Sequence, residues 1–329
     1  MTRVRRLGRA TFSSLRNRNY RLYFIGQVIS VSGTWMQRLA QAWLILRLTH
    51  NNGVALGIES GLQFLPMLLF GAWGGVIADR VDKRRLMYCT QAAAGLLALG
   101  LGLIVAAGAA TVGIVYVFSV LLGFTNVFDN PARQTFVIEM VGRDELPNAV
   151  GLNSVVMNAS RVVGPAIGGI VIELVGLAPC FFLNAASFVA VIIALWMMHG
   201  EELHSVPTVP RAKGQLREGF RYVWSERLLR TPLLLMAVIG TLAFNFSVLL
   251  PLFATRTFHL GAGGFGALTS ALGIGAVLGG LGAASRHGVS NGRLVALAFA
   301  FGAGLVATAI IASGIAHHLS ATTLLLAAW

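Results

Sequence analysis

A tight group of charges between two long apolar runs constrains this chain more than any other feature. Residues 74–86, GGVIADRVDKRRL, set Asp79, Arg80, Asp82, Lys83, Arg84 and Arg85 between them. An apolar run of about 20 residues crosses a hydrocarbon core of roughly 30 Å as a helix. Lipid offers no partner to backbone N–H and C=O groups, so each run must close its own hydrogen bonds within a helix. The charged turn then has to lie in water, and the unit reads as a transmembrane hairpin.

The rest of the chain repeats this design. Of its 329 residues 56% are hydrophobic and 11% charged, against about 25% charged in a soluble domain. The pattern predicts spans at 22–46, 54–78, 86–108, 112–130, 147–172, 176–197, 231–254, 264–284 and 293–313, with the start of a tenth at 320–329. A net charge of +13 raises the question of nucleic-acid binding, but its distribution argues against that. Alternate loops hold 21 Lys and Arg; the other side holds only Arg47 and Arg256, and Arg38 and Arg161 fall within helices. This is the positive-inside bias of a multi-pass protein in an inner (plasma) membrane, with its N-terminus in the cytoplasm. The first run is too long for a signal-peptide core and contains Gln27, Gln37 and Arg38, so it reads as an uncleaved helix. Cys89 and Cys180 lie in different apolar segments and read as packing residues rather than a disulfide or metal site. The seven histidines show no ligand spacing.

Four regions follow: a basic tail 1–21, six helices over 22–197, a polar linker 198–230 and a second helical group 231–329. Within the linker, Leu216, Phe220 and Val223 recur at helical spacing beside Arg217, Glu218 and Arg221, which predicts a short amphipathic helix at the interface. GGVIADR ends at Arg80 and GGLGAASR at Arg286, each closing the second helix of its group, with Ser285 in the place of Asp79. That internal repeat fits two six-helix halves related by an axis along the membrane normal. Nine and a half helices are present on this count, so the C-terminal half is expected to be truncated at Trp329, where the chain stops within ATTLLLAAW.

The hairpin Gly75-Val76-Ile77-Ala78-Asp79-Arg80-Val81-Asp82-Lys83-Arg84 resembles the loop signature of the major facilitator superfamily, G-x-L-A-D-R-x-G-R-K, with Asp82 for the usual glycine and Lys83 for the usual arginine. SRVVGPAIGG, residues 160–169, resembles an exporter-associated pattern through Gly164, Pro165, Gly168 and Gly169. RNRNYRLYFIGQVISVSGTWMQ (16–37), FDNPARQTFVIEMVGRDELPNAVGLNS (128–154) and LREGFRYVW (216–224) narrow the resemblance to the enterobactin-exporter-like branch, also called the transmembrane secretion effector or third drug:proton antiporter group. The resemblance implies an all-α major facilitator fold and export of a small organic molecule, a siderophore, drug or related metabolite, coupled to protons. It also implies a gating latch. Gly75, Asp79, Arg80, Lys83 and Arg84 would form it, with Asp79 facing the N-terminus of an eleventh helix and Asp129 as a second acid at the inner end of the fourth. Asp79 and Lys83, four residues apart, are within pairing distance if the helix continues.

Polar residues inside the spans point to a cavity. Gln27, Ser30, Thr34, Gln37 and Gln41 form one stripe on the first helix. By resemblance the fourth helix adds Ser119 and Asn126 and the seventh Thr241 and Asn245. Arg38 and Glu59 fall in the outer halves of adjacent helices and are placed to pair. Arg161 is deeper, without an acid at its level, and is the candidate for an anionic substrate group, with backbone carbonyls as its alternative partners. Lys83 and Lys213 are the only lysines and neither sits in a phosphate-binding loop, so no ATP site and no other cofactor is expected. The partners expected are the substrate, lipid and a proton, without nucleic acid and with no oligomeric state specified. Catalysis is not expected. A non-transporting membrane protein or accessory factor is the rival reading, and an ATP-dependent permease subunit a third.

Overall fold

The computed structural model describes residues 12–204, 215–226, 229–230, 233–234 and 246–284. These form helices and turns, with no strand among the described residues. A 3₁₀ turn, Ser13–Arg16, leads into α1 (Arg18–Leu48). There follow α2 (Gly53–Ala78), α3 (Lys83–Ala106), α4 (Val112–Leu174) and α5 (Ala178–Trp196). Short polar side chains set most of the starts. Asn17 accepts the Tyr20 N–H at 3.1 Å, Asn52 the Val54 N–H at 2.9 Å and Asp82 the Arg85 N–H at 2.7 Å. Each satisfies an amide that the helix itself leaves open. These caps start α1 at 18 and α3 at 83, earlier than the hydropathy pattern places them.

The largest difference from expectation concerns residues 131–146. The sequence reads as a loop there, bracketed by Pro131 and Pro147 and carrying Arg133 and Arg143. In the structure α4 runs through it with a single non-helical residue, Gly142, at φ 72° and ψ −178°. We call the two arms α4a (112–141) and α4b (143–174). Contacts with α1 show that the chain reverses at Gly142. Going up α1, Gln27 meets Arg133 and Gln41 meets Ser119, so α4a is antiparallel to it. Tyr20 meets Ala149 and Ser32 meets Ser160, so α4b is parallel. Six helical segments, α1, α2, α3, α4a, α4b and α5, therefore lie between residues 18 and 196.

Two apolar clusters sit at the ends of this bundle. One, near the 79–82 turn, contains Tyr20, Tyr23, Met87, Phe136, Met140 and Leu195. The other, at the opposite end, contains Ile45, Leu46, Leu56, Leu101, Val115 and Phe181. The outward faces are apolar as well: Phe64, Leu65, Leu68, Leu69 and Trp73 of α2 are all exposed. α2, α3, α4 and α5 are long and apolar enough to cross a membrane. α1 is not among these, because its polar stripe lowers its hydropathy; Gln27, Ser30, Gln37 and Gln41 are buried inside the bundle.

Beyond the bundle, α6 (Gln215–Ser225) covers the 216–224 segment and exposes Tyr222 and Trp224. α7 (Phe246–Leu252) runs into a π-helical turn, Phe253–Thr257, and α8 spans Ala262–Ala284. α8 lies antiparallel along α4b: Gly169 approaches Ala262, and Gly273 approaches Arg161. Ala254, Ala262 and Phe265 complete the apolar cluster at the end away from the 79–82 turn. Thr241, Asn245, Arg286 and the ninth and tenth spans lie outside the described residues.

Candidate substrate cavity and its surroundings

Between the two apolar clusters lies a cavity of about 100 Å³. Thr34, Gln37 and Gln41 of the α1 stripe line it, with Asn126 of α4a. The remaining stripe residues are placed differently. Gln27 accepts a hydrogen bond from Arg133, and Ser30 is buried against the neighbouring helices. Ser119 is fully buried at the far end, donating to Glu59 at 3.1 Å and accepting from Gln41 at 2.7 Å.

Side chains that hydropathy reading passed over make up much of the wall: Trp35, Gln63, Gln91, Asn130, Arg133 and Asn184. Three of these are amides on α2, α3 and α5, helices not expected to contribute. A lone amide in an apolar span was the available signal, since a buried amide must find a partner. Asn184 finds Gln37, donating to its Oε1 at 2.6 Å.

The charged residues are also rearranged. Asp129 lies thirteen residues before Gly142, about 20 Å of helix, and not at a helix end as the latch assignment requires. It is buried on the cavity wall, ion-paired with Arg133, and accepts from Thr90 Oγ1 at 2.8 Å and Gln91 Nε2 at 2.7 Å. Where the sequence places Arg133 in a loop, the extension of α4a carries it into the bundle. Gln27 Nε2, Gln91 Oε1 and Arg133 Nε have no partner among the described residues, so two donors and an acceptor surround this pair.

No ion pair joins Arg38 to Glu59 among the described residues, contrary to expectation. Glu59 accepts instead from Gln41 Nε2 at 2.9 Å and from Ser119. The Arg38 guanidinium lies 4.8 Å from the Trp35 ring centroid, and that of Arg161 lies 5.1 Å from the same ring. Arg38 lines the cavity; Arg161 is exposed, on the face of α4b that α8 approaches. Two cations thus share one aromatic ring, each held by its quadrupole.

At the 79–82 turn the expected Asp79–Lys83 pair is replaced by Lys83 Nζ to Glu139 at 2.8 Å, joining α3 to α4a. Arg84 donates to the carbonyl oxygens of Leu195 (2.6 Å) and Met198 (3.0 Å), so it binds the α5 C-terminus, where a cation is favoured. Gly75 is half-buried in the last turn of α2, and Asp79 is exposed just beyond it. Arg80 follows in the turn.

Gly164, Pro165, Gly168 and Gly169 lie where three helices cross. A Cβ on Gly164 would stand 2.6 Å from the Ser32 carbonyl oxygen of α1. Gly168 faces Met36 of α1, while Pro165 and Gly169 face Gly266 and Ala262 of α8. The small residues let α4b touch α1 and α8 at backbone distance.

Comparison with known proteins agrees with this arrangement. Residues 9–329 match the family of transmembrane secretion effectors. The staphyloferrin A transporter of Staphylococcus aureus is 27% identical over 247 residues, 72% of this chain and 59% of that protein. The enterobactin exporter EntS of Escherichia coli is 24% identical over 286 residues, 84% of this chain and 66% of that protein. The chain thus spans less than two thirds of the length of these relatives. A bacterial homologue of the human lysosomal transporter Spinster, solved inward-facing and unoccupied, shares the fold with a TM-score of 0.69 at 14% identity, over 94% of this chain and 72% of that one. By the family match and by its helical architecture, the chain belongs to the transmembrane secretion effector branch of the major facilitator superfamily.

Proposed function

We propose that this protein is a secondary active exporter that moves a small organic molecule outward by alternating access, driven by protons entering. The observation that carries this reading is the cavity. An apolar bundle places Gln37, Gln41, Gln63, Gln91, Asn126 and Asn184 around one space between its two apolar clusters. A polar solute would satisfy the amide atoms that the bundle leaves open, Gln91 Oε1 among them. Arg38 and Arg161 on Trp35 add two positive charges at its edge, against the single Asp129–Arg133 pair within. This balance favours a hydrophilic solute with an anionic group over a lipophilic cation, in keeping with relatives named for siderophores.

The positive loop bias supports a cytoplasmic N-terminus, a cytoplasmic 79–82 turn and an inner-membrane location. Two similar six-helix halves, joined by the 198–230 linker, would rock about the cavity. Asp79 at the cytoplasmic turn, with Gly75, Arg80, Lys83 and Arg84 around it, forms the inner gate in this reading, and Asp129 acts within the cavity. Gln27, Ser30 and Ser119 support the binding wall.

Energised inside-out vesicles carrying the protein, assayed against a panel of carboxylate and catecholate siderophores and cationic drugs, test the proposal. Accumulation of an anionic solute, abolished by a protonophore, is expected. Accumulation of cationic drugs alone would overturn the substrate class, and no accumulation above empty vesicles would overturn the transport reading in favour of an accessory role.

A further inference from the structure

At the end of the bundle away from the 79–82 turn, α4b and α8 meet through a contact that no assigned motif contains. α8 opens with Ala262-Gly263-Gly264 after Gly261, whose carbonyl accepts the first helical bond from the Phe265 N–H at 3.1 Å. Gly261 therefore occupies the N-cap position and has no side chain to offer the open amides, and α8 has no acid in its first turn. Helix N-termini left in this state need an acceptor. It comes from another element. The Glu173 carboxylate, in the last turn of α4b, accepts the Gly263 N–H at 2.9 Å. A Cβ on Gly263 would lie 2.5 Å from Glu173 Oε2, so the glycine leaves the room that the carboxylate occupies. Beside it, Trp43 of α1 stacks on Phe265 of α8 at 6.0 Å between centroids.

We propose that Glu173 is a latch for this end of the transporter: its carboxylate caps α8 while the end is closed and must leave the helix N-terminus before α4b and α8 can part there. This rests on the alternating-access reading. The physical terms are a charge-assisted hydrogen bond and a negative charge at the positive end of a helix dipole. The hydrogen bond is lost, and the charge–dipole attraction weakens within about one helical turn, as the carboxylate moves away, so together they weight the closed state. A contact of this kind tunes an equilibrium and does not lock it.

The test is a distance measurement between spin labels at Val54 and Arg256, both exposed at this end, with Cys89 and Cys180 replaced by serine and alanine. Glu173→Gln keeps the shape and removes the charge; Gly263→Ala keeps the charge and displaces it. Each should lower the closed population relative to the open one by about two- to fivefold. Gly275→Ala in the same helix, where an added Cβ meets nothing within 4 Å, should not change it. Unchanged distances in Glu173→Gln, or a shift of equal size in Gly275→Ala, would overturn the latch. If Gly263→Ala does not fold, the near-isosteric Glu173→Gln still decides. The distances are read without substrate, so failure to find a transported solute leaves this result intact.

Discussion

Glu59 is a carboxyl group inside an apolar bundle, and its neighbours explain how it is tolerated. Gln41 Nε2 and Ser119 Oγ both donate to it, and the Gln41 amide also donates to Ser119. Removing one donor leaves a buried acceptor short of a partner, which costs about 1–3 kcal/mol. Gln41→Leu is therefore expected to lower the thermal unfolding midpoint of the detergent-purified protein, and Ser119→Ala to do so by less, since the Gln41 amide remains on Glu59. Equal midpoints for Gln41→Leu and the parent would show that Glu59 is satisfied elsewhere. The stripe that contains Gln41 was legible in the sequence, because a spacing of three and four residues puts side chains on one face. Its division of labour was not. Gln41 and Ser119 serve Glu59, Gln27 serves Arg133, and Gln37 is shared between the cavity and Asn184. Arg161→Ala separates roles of a different kind: with the side chain exposed, protein abundance should stay near the parent level while transport of an anionic solute falls. Unchanged transport at matched abundance would remove Arg161 from the binding site.

Among the elements, α4 departs furthest from what hydropathy indicates. Prolines at 131, 147 and 165 are all accommodated within it, and the reversal rests on Gly142 alone. At φ 72° and ψ −178° that residue occupies a region open in practice only to glycine, where other residues cost about 1–3 kcal/mol. Gly142→Ala is expected to destabilise the bundle by that amount, read as a lower unfolding midpoint, with proteolysis increasing near 142. A midpoint within error of the parent would show that the turn can be built another way. The reversal is also braced from outside. Asn17 Nδ2 donates to the Met140 carbonyl at 2.6 Å, the His204 N–H donates to the Glu139 carbonyl at 2.7 Å, and Ser14 donates to Asn148 Oδ1 at 2.8 Å. The segments entering α1 and leaving α5 therefore grip the same turn. A charged, proline-flanked stretch carries no sign of this, because its bracing comes from residues far away in the chain, Ser14 and Asn17 before it and His204 after it.

For the molecule as a whole, orientation is the expectation most open to direct test. A reporter fused near Arg217 should be active only if it is cytoplasmic, in keeping with 21 basic residues in alternate loops against two on the other side; alkaline-phosphatase activity there would reverse the topology. The apolar runs that form α2, α3, α5 and the two arms of α4 were legible in the sequence, as was the family through its hairpin and glycine motifs. The reason is that lipid imposes its rules segment by segment: a span must be apolar, about 20 residues long and internally hydrogen-bonded, whatever its neighbours are. Polar pairing obeys no such local rule. Whether Asp129 meets a helix end or Arg133, whether Lys83 meets Asp79 or Glu139, and whether Glu59 meets Arg38 or Gln41 depends on the rotation and depth at which helices settle against one another. Those are set by small-residue contacts such as Gly164 on α1 and Gly169 on α8, each close enough for backbone to approach backbone. Span and family were therefore properties of the sequence, while the wall of the cavity and the partners of its charges were decided only by tertiary packing, because hydropathy is carried by single segments and a hydrogen bond requires two.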